Sequence, residues 1–466
     1  MRMNLKSSTS LMGATLLLAW IVAGCTNYTI PGRGGDGSTE ANSCEGCHTD
    51  YDRLITVHTP DTAAPVGGCG GSAPHYEPYD RVYMGGEGFE AFKTSPHYGV
   101  GCTGCHNGNG DTGDKEEAHS GDWTRSPSLA HAEKCASCHE QESQNFTTSL
   151  HNGTGQKRKV SMRAGLAGAD EFDQLPGHHR EAYDAKCAIC HGTCGNCHVT
   201  RPAIKGGGLA ANHNFIKTPD WYNVCVGCHV SRGGHAFLGT GWPSDVDTTK
   251  VEPDVHRDRD DLKFTCLTCH DGMEVHGDGA PVEQRYAYSE LPTCESANCH
   301  SGLETKNIWH TMHYDDFQCQ ICHSQPYNTC GACHVKDGHA EISSHADFKI
   351  ALNPISDLRE YEFALVRRTL AHPDNWVGYG EDLEYASFDV LPTFNYTTPH
   401  NILLLTQQTN FGDDQNCSSS CHIRNEGGTL VNSELYLWAD SLYDWEVTAT
   451  TPITVDGELP SWWFTE

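Results

Sequence analysis

The sequence predicts short α-helices joined by irregular chain, little β-structure, and an interior filled largely by something other than side chains. Only 37% of the 466 residues are hydrophobic, which is low for an ordinary core in a chain of this length. The 48 glycines and 21 prolines make turn residues too dense for long helices or sheets. The 24 cysteines and 29 histidines together indicate bound metal or haem.

The N-terminus, residues 1–24, has the pattern of an export signal. A short positively charged segment precedes a mostly apolar run, 11–23, which is too short to span a bilayer comfortably. This run ends in Val22-Ala23-Gly24-Cys25, which resembles the lipobox of bacterial lipoproteins. The resemblance implies cleavage before Cys25 and lipidation of that cysteine. Residues 25–43 are rich in glycine and polar residues and predict a flexible tether.

Apart from Cys25 and Cys69, the cysteines fall in pairs, and a histidine directly follows every pair. Nine pairs have the spacing C-x-x-C-H: Cys44/Cys47/His48, Cys102/Cys105/His106, Cys135/Cys138/His139, Cys187/Cys190/His191, Cys194/Cys197/His198, Cys225/Cys228/His229, Cys266/Cys269/His270, Cys319/Cys322/His323 and Cys330/Cys333/His334. Two pairs have a longer spacing: Cys294/Cys299/His300 and Cys417/Cys421/His422.

C-x-x-C-H is the attachment motif of c-type haem. The two thiols bond to the two vinyl groups of one haem, and the next residue supplies an imidazole as an axial ligand of the iron. The sequence therefore predicts eleven covalently bound haems, with the eleven motif histidines as proximal ligands. Zinc is the alternative, because paired cysteines are common zinc ligands. A zinc site needs two such pairs rather than a histidine after each pair, so the pattern favours haem.

Eighteen histidines remain, enough for a second imidazole on every iron, whereas only seven methionines are present. Ligation by two histidines, and hence low reduction potentials, is predicted. Some of these candidates share a recurring pattern, in which Phe or Asn lies five or six residues before the histidine; others lie close to a motif. The predicted distal ligands are His58, His97, His119, His131, His151, His178, His213, His235, His276, His310, His313 and His339. These are twelve for eleven irons, so at least one is surplus.

The motifs divide the mature chain into a ten-haem region, 44–344, and a C-terminal region, 345–466, with one haem at 417–422 and a folded tail poor in haem. Similar cysteine-rich strings favour an internal duplication of a three-haem unit, 135–199 and 294–335.

Cys190 and Cys194 are four residues apart, so their backbones lie within about 14 Å and the two haems must nearly touch. The cysteine-free stretch 335–416 is expected to fold back and return the last haem to the others. His372 or His400 is then a distal ligand of that haem or of a neighbour. Residues 358–370 have the composition and spacing of a helix.

Two weaker features have simpler interpretations. Cys69 has no motif, which predicts a free thiol or a bond between two chains. Asn107, Asn109 and Asp111 resemble the start of a calcium loop, but the glycine of the sixth position is missing and Glu117 falls one residue short of the twelfth. A polar turn is the favoured interpretation of residues 107–117.

Over residues 44–422 the motifs resemble those of exported, low-potential multihaem c-type cytochromes of bacteria that respire extracellular acceptors. The resemblance implies irregular coil and short helices wrapped around stacked haems, which supply the core. It implies electron conduction to partner cytochromes or extracellular acceptors, as single molecules, homo-oligomers or stacked filaments. The implied location is the outer membrane or cell surface, reached through the lipid anchor only; the periplasmic face is the alternative.

The alternative function is enzymatic. Multihaem reductases that act on nitrite, hydroxylamine or tetrathionate leave one haem with an open or unusual ligand. The surplus of histidines and the absence of a C-x-x-C-K motif favour an electron carrier without catalytic residues. The net charge of −30 argues against nucleic acid as a partner, because phosphate contacts need a basic surface.

Overall fold

The computed structural model describes residues 42–461 apart from 62–66, 69–70, 73, 187, 189–191, 203–204, 230–232, 240–251, 281, 283–285, 289, 326–347, 369–387 and 411–416. Several predicted features lie outside the described residues: the segment 1–41 with Cys25, then Cys69, Cys187, Cys190, His191, Cys330, Cys333, His334, His339 and His372.

The fold class is confirmed at the level of short helices, irregular chain and little strand, with 42% helix and 8% strand. The longest described helices have ten residues, which is three turns or fewer. The helices are Cys44–His48, Tyr51–Val57, Glu87–Lys93, Cys102–His106, Lys115–Ala118, His131–Lys134, Glu140–Phe146, Thr154–Arg163, Gly177–Lys186, Cys194–His198, Val226–His229, His235–Leu238, Val255–Asp258, Cys266–Cys269, Gly272–His276, Ile308–His313, Cys319–His323, Cys417–Cys421 and Val447–Thr450.

Single turns of tighter or wider helix connect many of these elements. Tight 3₁₀ turns are Pro96–Val100, Pro127–Ala130, Leu150–Asn152, Ala169–Gln174, Ser296–Asn298, Ser433–Leu435, Ala439–Ser441 and Thr451–Ile453. A wider π turn, Trp221–Cys225, leads directly into Val226–His229.

The C-terminal region contains an antiparallel sheet of three strands, in the order Phe348–Leu352, Phe363–Arg368, Phe394–Tyr396. Two small hairpins add the strand pairs Gly67–Gly68 with Gly71–Ser72, and Arg424–Glu426 with Thr429–Val431. The helix predicted for 358–370 is wrong, because Phe363–Arg368 is the middle strand of the sheet. Pairing on both edges and burial on both faces outweigh the local helical spacing of this segment.

The sheet packs directly against the motif Cys319/Cys322/His323. Phe317 lies two residues before the motif helix and Ile321 lies within it. Both pack with Ile350 and Phe363 of the sheet in one buried cluster. Gln318 is 1% exposed; its side-chain amide donates to the Thr397 carbonyl at 2.9 Å and accepts from the Leu365 amide at 2.8 Å. The sheet therefore fixes the position of a motif helix.

A buried ion pair ties the last segment of the chain to the same sheet. The Arg368 guanidinium donates to both carboxylate oxygens of Glu446, at 2.6 and 3.2 Å, and Glu446 is fully buried. The Thr393 hydroxyl and the Tyr443 amide also donate to this carboxylate. Such satisfaction of every oxygen is what a buried charge requires.

Within the described ranges, no helix is long and apolar enough to cross a membrane.

Candidate haem-binding site

Five of the seven regular motifs that the structure describes form one helical turn; the motif Cys135/Cys138/His139 is a non-helical turn after the helix His131–Lys134, and the motif at Cys225 begins in the π turn Trp221–Cys225. Positions i, i+3 and i+4 lie on one helix face, so C-x-x-C-H presents two thiols and an imidazole in the same direction. The residue before the first cysteine often caps the turn. Ser43 accepts from the Gly46 amide, and Thr193 and Thr265 form capping boxes with Asn196 and Thr268.

The two longer motifs accommodate their extra residues in different ways. In Cys294/Cys299/His300 the extra residues are taken up by Ala297 and Asn298, which both adopt the left-handed conformation, with φ of 53° and 59°. Cys417–Cys421 is a regular helix, and a spacing of four also keeps two positions on one helix face.

Nine motif histidines each face a second histidine that belongs to no motif. The distances between ring centroids fall within 5.8–6.3 Å. The pairs are His48–His119, His139–His97, His106–His213, His229–His151, His198–His276, His300–His256, His270–His400, His323–His310 and His422–His313.

This separation fits one metal ion between two imidazoles. A metal–imidazole bond measures about 2 Å. A five-membered ring with sides of about 1.3–1.4 Å places each nitrogen roughly 1.1 Å from the centroid. Each imidazole centroid would therefore lie a little over 3 Å from the metal, and two imidazoles on opposite sides would have centroids about 6.3 Å apart. In the His256–His300 pair the two Nε2 atoms face each other at 3.5 Å, which is within reach of a hydrogen bond and shorter than the roughly 4 Å that two metal–imidazole bonds would span.

Two imidazoles on opposite sides of one point are what an iron held in a porphyrin plane requires. Zinc sites instead take three or four protein ligands. Within the described parts of the chain, no three histidine, cysteine, aspartate or glutamate side chains form a group suited to a metal ion.

Hydrogen bonds from Nδ1 fix the orientation of many of these rings. The Nδ1 of His48 donates to the Val82 carbonyl at 3.2 Å, and that of His106 to the Thr124 carbonyl at 2.9 Å. Further acceptors are the carbonyls of Lys115 for His119, Val275 for His151, Ile216 for His198 and Leu403 for His323. Donation from Nδ1 leaves the Nε2 lone pair available to a metal.

Burial lowers the pKa values of eight of the eighteen paired histidines, which favours the neutral form that binds a metal. It lowers the pKa of His213 to about 4. Burial also lowers the pKa values of His48, His97, His151, His276, His300, His323 and His422. His270 is different, because a hydrogen bond to Glu274 raises its pKa.

One continuous cavity of about 4220 Å³ is lined by all eighteen histidines of the nine pairs. A small-molecule site measures about 300–1,000 Å³, so this cavity is several times too large for one such ligand. Divided among nine pairs, 4220 Å³ is about 470 Å³ each, which is the size of one ligand site per pair.

Sulfur atoms of different motifs meet along the cavity. The first cysteines of four motif pairs lie within hydrogen-bonding reach of each other: Cys44 and Cys102, Cys135 and Cys194, Cys225 and Cys266, Cys294 and Cys319. Through space, and less than hydrogen bonding or burial, Cys105 raises the pKa of Cys135, Cys225 that of Cys197, and Cys299 that of Cys269. The described motifs from Cys44 to Cys319 therefore form one row in the order of the sequence.

The last motif lies beside the motif Cys319/Cys322/His323. The hydroxyl of Tyr436 contacts the Cys421 thiol. Burial is the main reason that the pKa of Tyr436 is raised, and the nearby Cys421 and Cys322 raise it further. The helix Ile308–His313 supplies the histidines that face His323 and His422. The row thus continues to residues 417–422.

Seven of the twelve predicted distal histidines face a motif histidine: His97, His119, His151, His213, His276, His310 and His313. The ring of His58 packs edge-on against Tyr79, and His131 packs against Phe146 and bonds to Ser143. His178 lies in the helix Gly177–Lys186, and His235 begins the helix His235–Leu238. For these four residues and His339, ligation stays a prediction.

Two facing histidines were not among the twelve. His400, which the sequence predicts as a ligand of the last haem or of a neighbour, faces His270. His256, for which the sequence predicts no role, faces His300. His256 lies ten residues before Cys266, close to the nine-residue spacing of His310 and Cys319, but that signal points to the wrong motif.

The polar side chains of residues 107–117 bond to one another. The Thr112 hydroxyl donates to Glu117 at 2.9 Å, the Asn109 amide donates to Glu117 at 3.4 Å, and Asn109 accepts from the Asp111 amide at 3.1 Å. These are the contacts of a polar turn.

Comparison with known protein families, curated proteins and solved structures gives no match for this chain.

Proposed function

We propose that this chain is a multihaem c-type cytochrome that carries eleven covalently bound haems and conducts electrons along them. The observation that carries the proposal is the set of nine motif histidines, each opposite a second histidine at 5.8–6.3 Å, along one cavity. When bound, haem iron supplies one-electron chemistry.

Different residues of the chain would bind different parts of each haem. Two thiols would attach the haem covalently, and the motif histidine and its facing histidine would be the residues that bind the iron. Backbone carbonyls orient the imidazoles through Nδ1. The haems themselves then supply the core that the low hydrophobic content leaves short.

The sulfur contacts support conduction. Sulfurs of successive motifs approach each other along the row from Cys44 to Cys319, so the bound groups that they anchor must also lie close together. The last motif, Cys417/Cys421/His422, lies beside the motif Cys319/Cys322/His323, so its haem would be connected to the row rather than isolated. A reductase with one open iron is the rival function, and the facing histidine on every described motif favours the carrier.

The proposed location and partners rest on the sequence. Lipidation of Cys25 would hold the haem-bearing body at the outer membrane, outside the cytoplasm. Partner cytochromes, extracellular acceptors or further copies of the same chain would then receive the electrons.

Spectroscopy of the purified, oxidised holoprotein tests the carrier against the reductase. We expect low-spin haem throughout and no binding of carbon monoxide after reduction, because two histidines would ligate each iron and leave no position open. A high-spin fraction that binds carbon monoxide in intact protein, together with turnover of nitrite or hydroxylamine, would support the reductase instead.

The ring planes make the expected EPR spectrum more specific. Perpendicular imidazole planes leave two iron d orbitals nearly equal in energy, which produces a strongly anisotropic low-spin signal; parallel planes separate them. The planes of His48–His119 and His256–His300 meet at 87° and 83°, whereas those of His97–His139 and His198–His276 meet at 13° and 22°. Both kinds of low-spin signal are therefore expected.

A further inference from the structure

Two of the facing histidine pairs differ from the others in the group that accepts the Nδ1 hydrogen bond. The Nδ1 of His270 donates to the Glu274 carboxylate, at 2.7 and 2.9 Å to its two oxygens. The Nδ1 of His256 donates to the Asp254 carboxylate at 2.8 Å. In both cases the acceptor carries a formal negative charge, and the bond is therefore charge-assisted.

The other described acceptors of Nδ1 hydrogen bonds are uncharged and form weaker bonds. Six histidines of the described pairs donate to neutral backbone carbonyls, at 2.7–3.3 Å. The Nδ1 atoms of His97, His213 and His310 are buried without a hydrogen-bond partner. Three kinds of ligand environment thus occur along one cavity, and among the Nδ1 contacts that the structure describes, those of His270 and His256 are with a carboxylate.

Both carboxylates are sheltered from water. The Asp254 side chain is 4% exposed and that of Glu274 is 19% exposed. Asp254 also accepts from the His256 amide at 2.9 Å and from the Ile402 amide at 2.9 Å. These two backbone donors hold the carboxylate in place beside the imidazole of His256. Glu274 raises the pKa of the His270 imidazole, which is the expected effect of a close carboxylate.

The two affected motifs are neighbours in the middle of the row. Cys269 and Cys299 act on each other electrostatically. Five described motifs precede them and two follow. The bond from Ile402 to Asp254 also holds the segment that supplies His400, so a single carboxylate organises the facing histidines of both motifs.

We infer that Glu274 and Asp254 are positioning residues that give two adjacent haem irons, at His270 and His300, the lowest reduction potentials of the row. The inference rests on the proposed function. A carboxylate that accepts the Nδ1 proton makes the imidazole a stronger electron donor, and this stabilises the oxidised iron. Electrons that pass between the two ends of the row must then cross this low-potential pair, which limits the rate of transit in either direction.

The test is a redox titration of the holoprotein, followed by absorbance and by EPR, for Glu274→Gln and Asp254→Asn. Each substitution keeps the size of the side chain and removes its charge. We expect the low-potential end of the titration to shift upward in each variant. In Asp254→Asn, the strongly anisotropic EPR component of the His256–His300 pair should reduce at higher potential.

Glu142→Gln is the matched control. Glu142 lines the same cavity and acts on His276 through space, without a hydrogen bond to it among the described contacts. The control should leave the low-potential end unchanged, because it removes charge but no ligand hydrogen bond. Glu274→Ala removes acceptor and charge together and should shift the potential further than Glu274→Gln.

Two results would overturn the inference. One is an unchanged low-potential end in both variants when intact mass still shows every haem attached. The other is an equal shift in Glu142→Gln, because overall charge would then explain the effect. A wild-type protein purified without haem would instead overturn the proposed function, so the two failures are distinguishable.

Discussion

Replacement of His256 by glycine should convert one haem of eleven, about 9% of the total, from low spin to high spin. His256 faces His300 with the two Nε2 atoms 3.5 Å apart, and glycine leaves the iron without its second imidazole. Free imidazole added to the variant should restore the low-spin spectrum. The reduced variant should bind carbon monoxide at one site, and the intact protein at none.

His75→Gly is the control for this substitution. The His75 side chain is 47% exposed and bonds to Glu77 rather than facing a motif histidine. It should leave the spin state unchanged. A fully low-spin His256→Gly protein with all haems attached would contradict the assignment of His256 as an iron ligand. It would also weaken the assignment of the other facing histidines, which rests on the same ring separation.

Loss of the haem at Cys225/Cys228/His229 should slow electron exchange between the two ends of the row by orders of magnitude. This motif connects the two halves, because Cys225 is within hydrogen-bonding reach of Cys266 on one side and acts electrostatically on Cys197 on the other. In Cys225→Ser/Cys228→Ser we expect reduction by a fast electron donor to become biphasic, with the haems on one side of the break reduced late. Stopped-flow absorbance measures both phases.

Cys44→Ser/Cys47→Ser is the matched control, because it removes a haem from the end of the row. Its remaining haems should stay connected and reduce together. His151→Met offers a milder break, since it keeps the haem at His229 but changes its second ligand and raises its potential. Monophasic, wild-type reduction of a Cys225→Ser/Cys228→Ser protein that has lost only one haem would contradict the single row.

Local chemistry is the part of this site that the sequence predicts well. A motif of five to seven residues contains both thiols and the proximal histidine, and one helical turn is enough to bring them together. Even the longer motif at Cys294 needs only two left-handed residues to do so. No information from elsewhere in the chain is required to find these positions.

The facing histidines are harder, because tertiary structure chooses them. The two members of a pair are separated by 13 residues in His310–His323 and by 130 in His270–His400. The first motif after His97 starts at Cys102 and the first after His151 starts at Cys187, yet these histidines face His139 and His229, which belong to later motifs. Proximity in sequence therefore identifies many candidate ligands but not their partners.

The same limit explains the wrong prediction in the C-terminal region. Residues 358–370 have helical spacing, but the chain places Phe363–Arg368 between two other strands. One of those strands, Phe394–Tyr396, lies just before the segment that contributes His400. Long-range pairing of the chain thus determines both the strand and the ligand.

The central claim is that the motif cysteines and facing histidines hold covalently attached haem. The most direct test is the intact mass of the protein purified from a host that attaches c-type haem, with peptide mapping of the attachment sites. The proposal predicts eleven haem additions, one on each motif, including Cys294/Cys299 and Cys417/Cys421. A mass without haem, with zinc bound or with disulfides between motifs such as Cys44–Cys102, would contradict it.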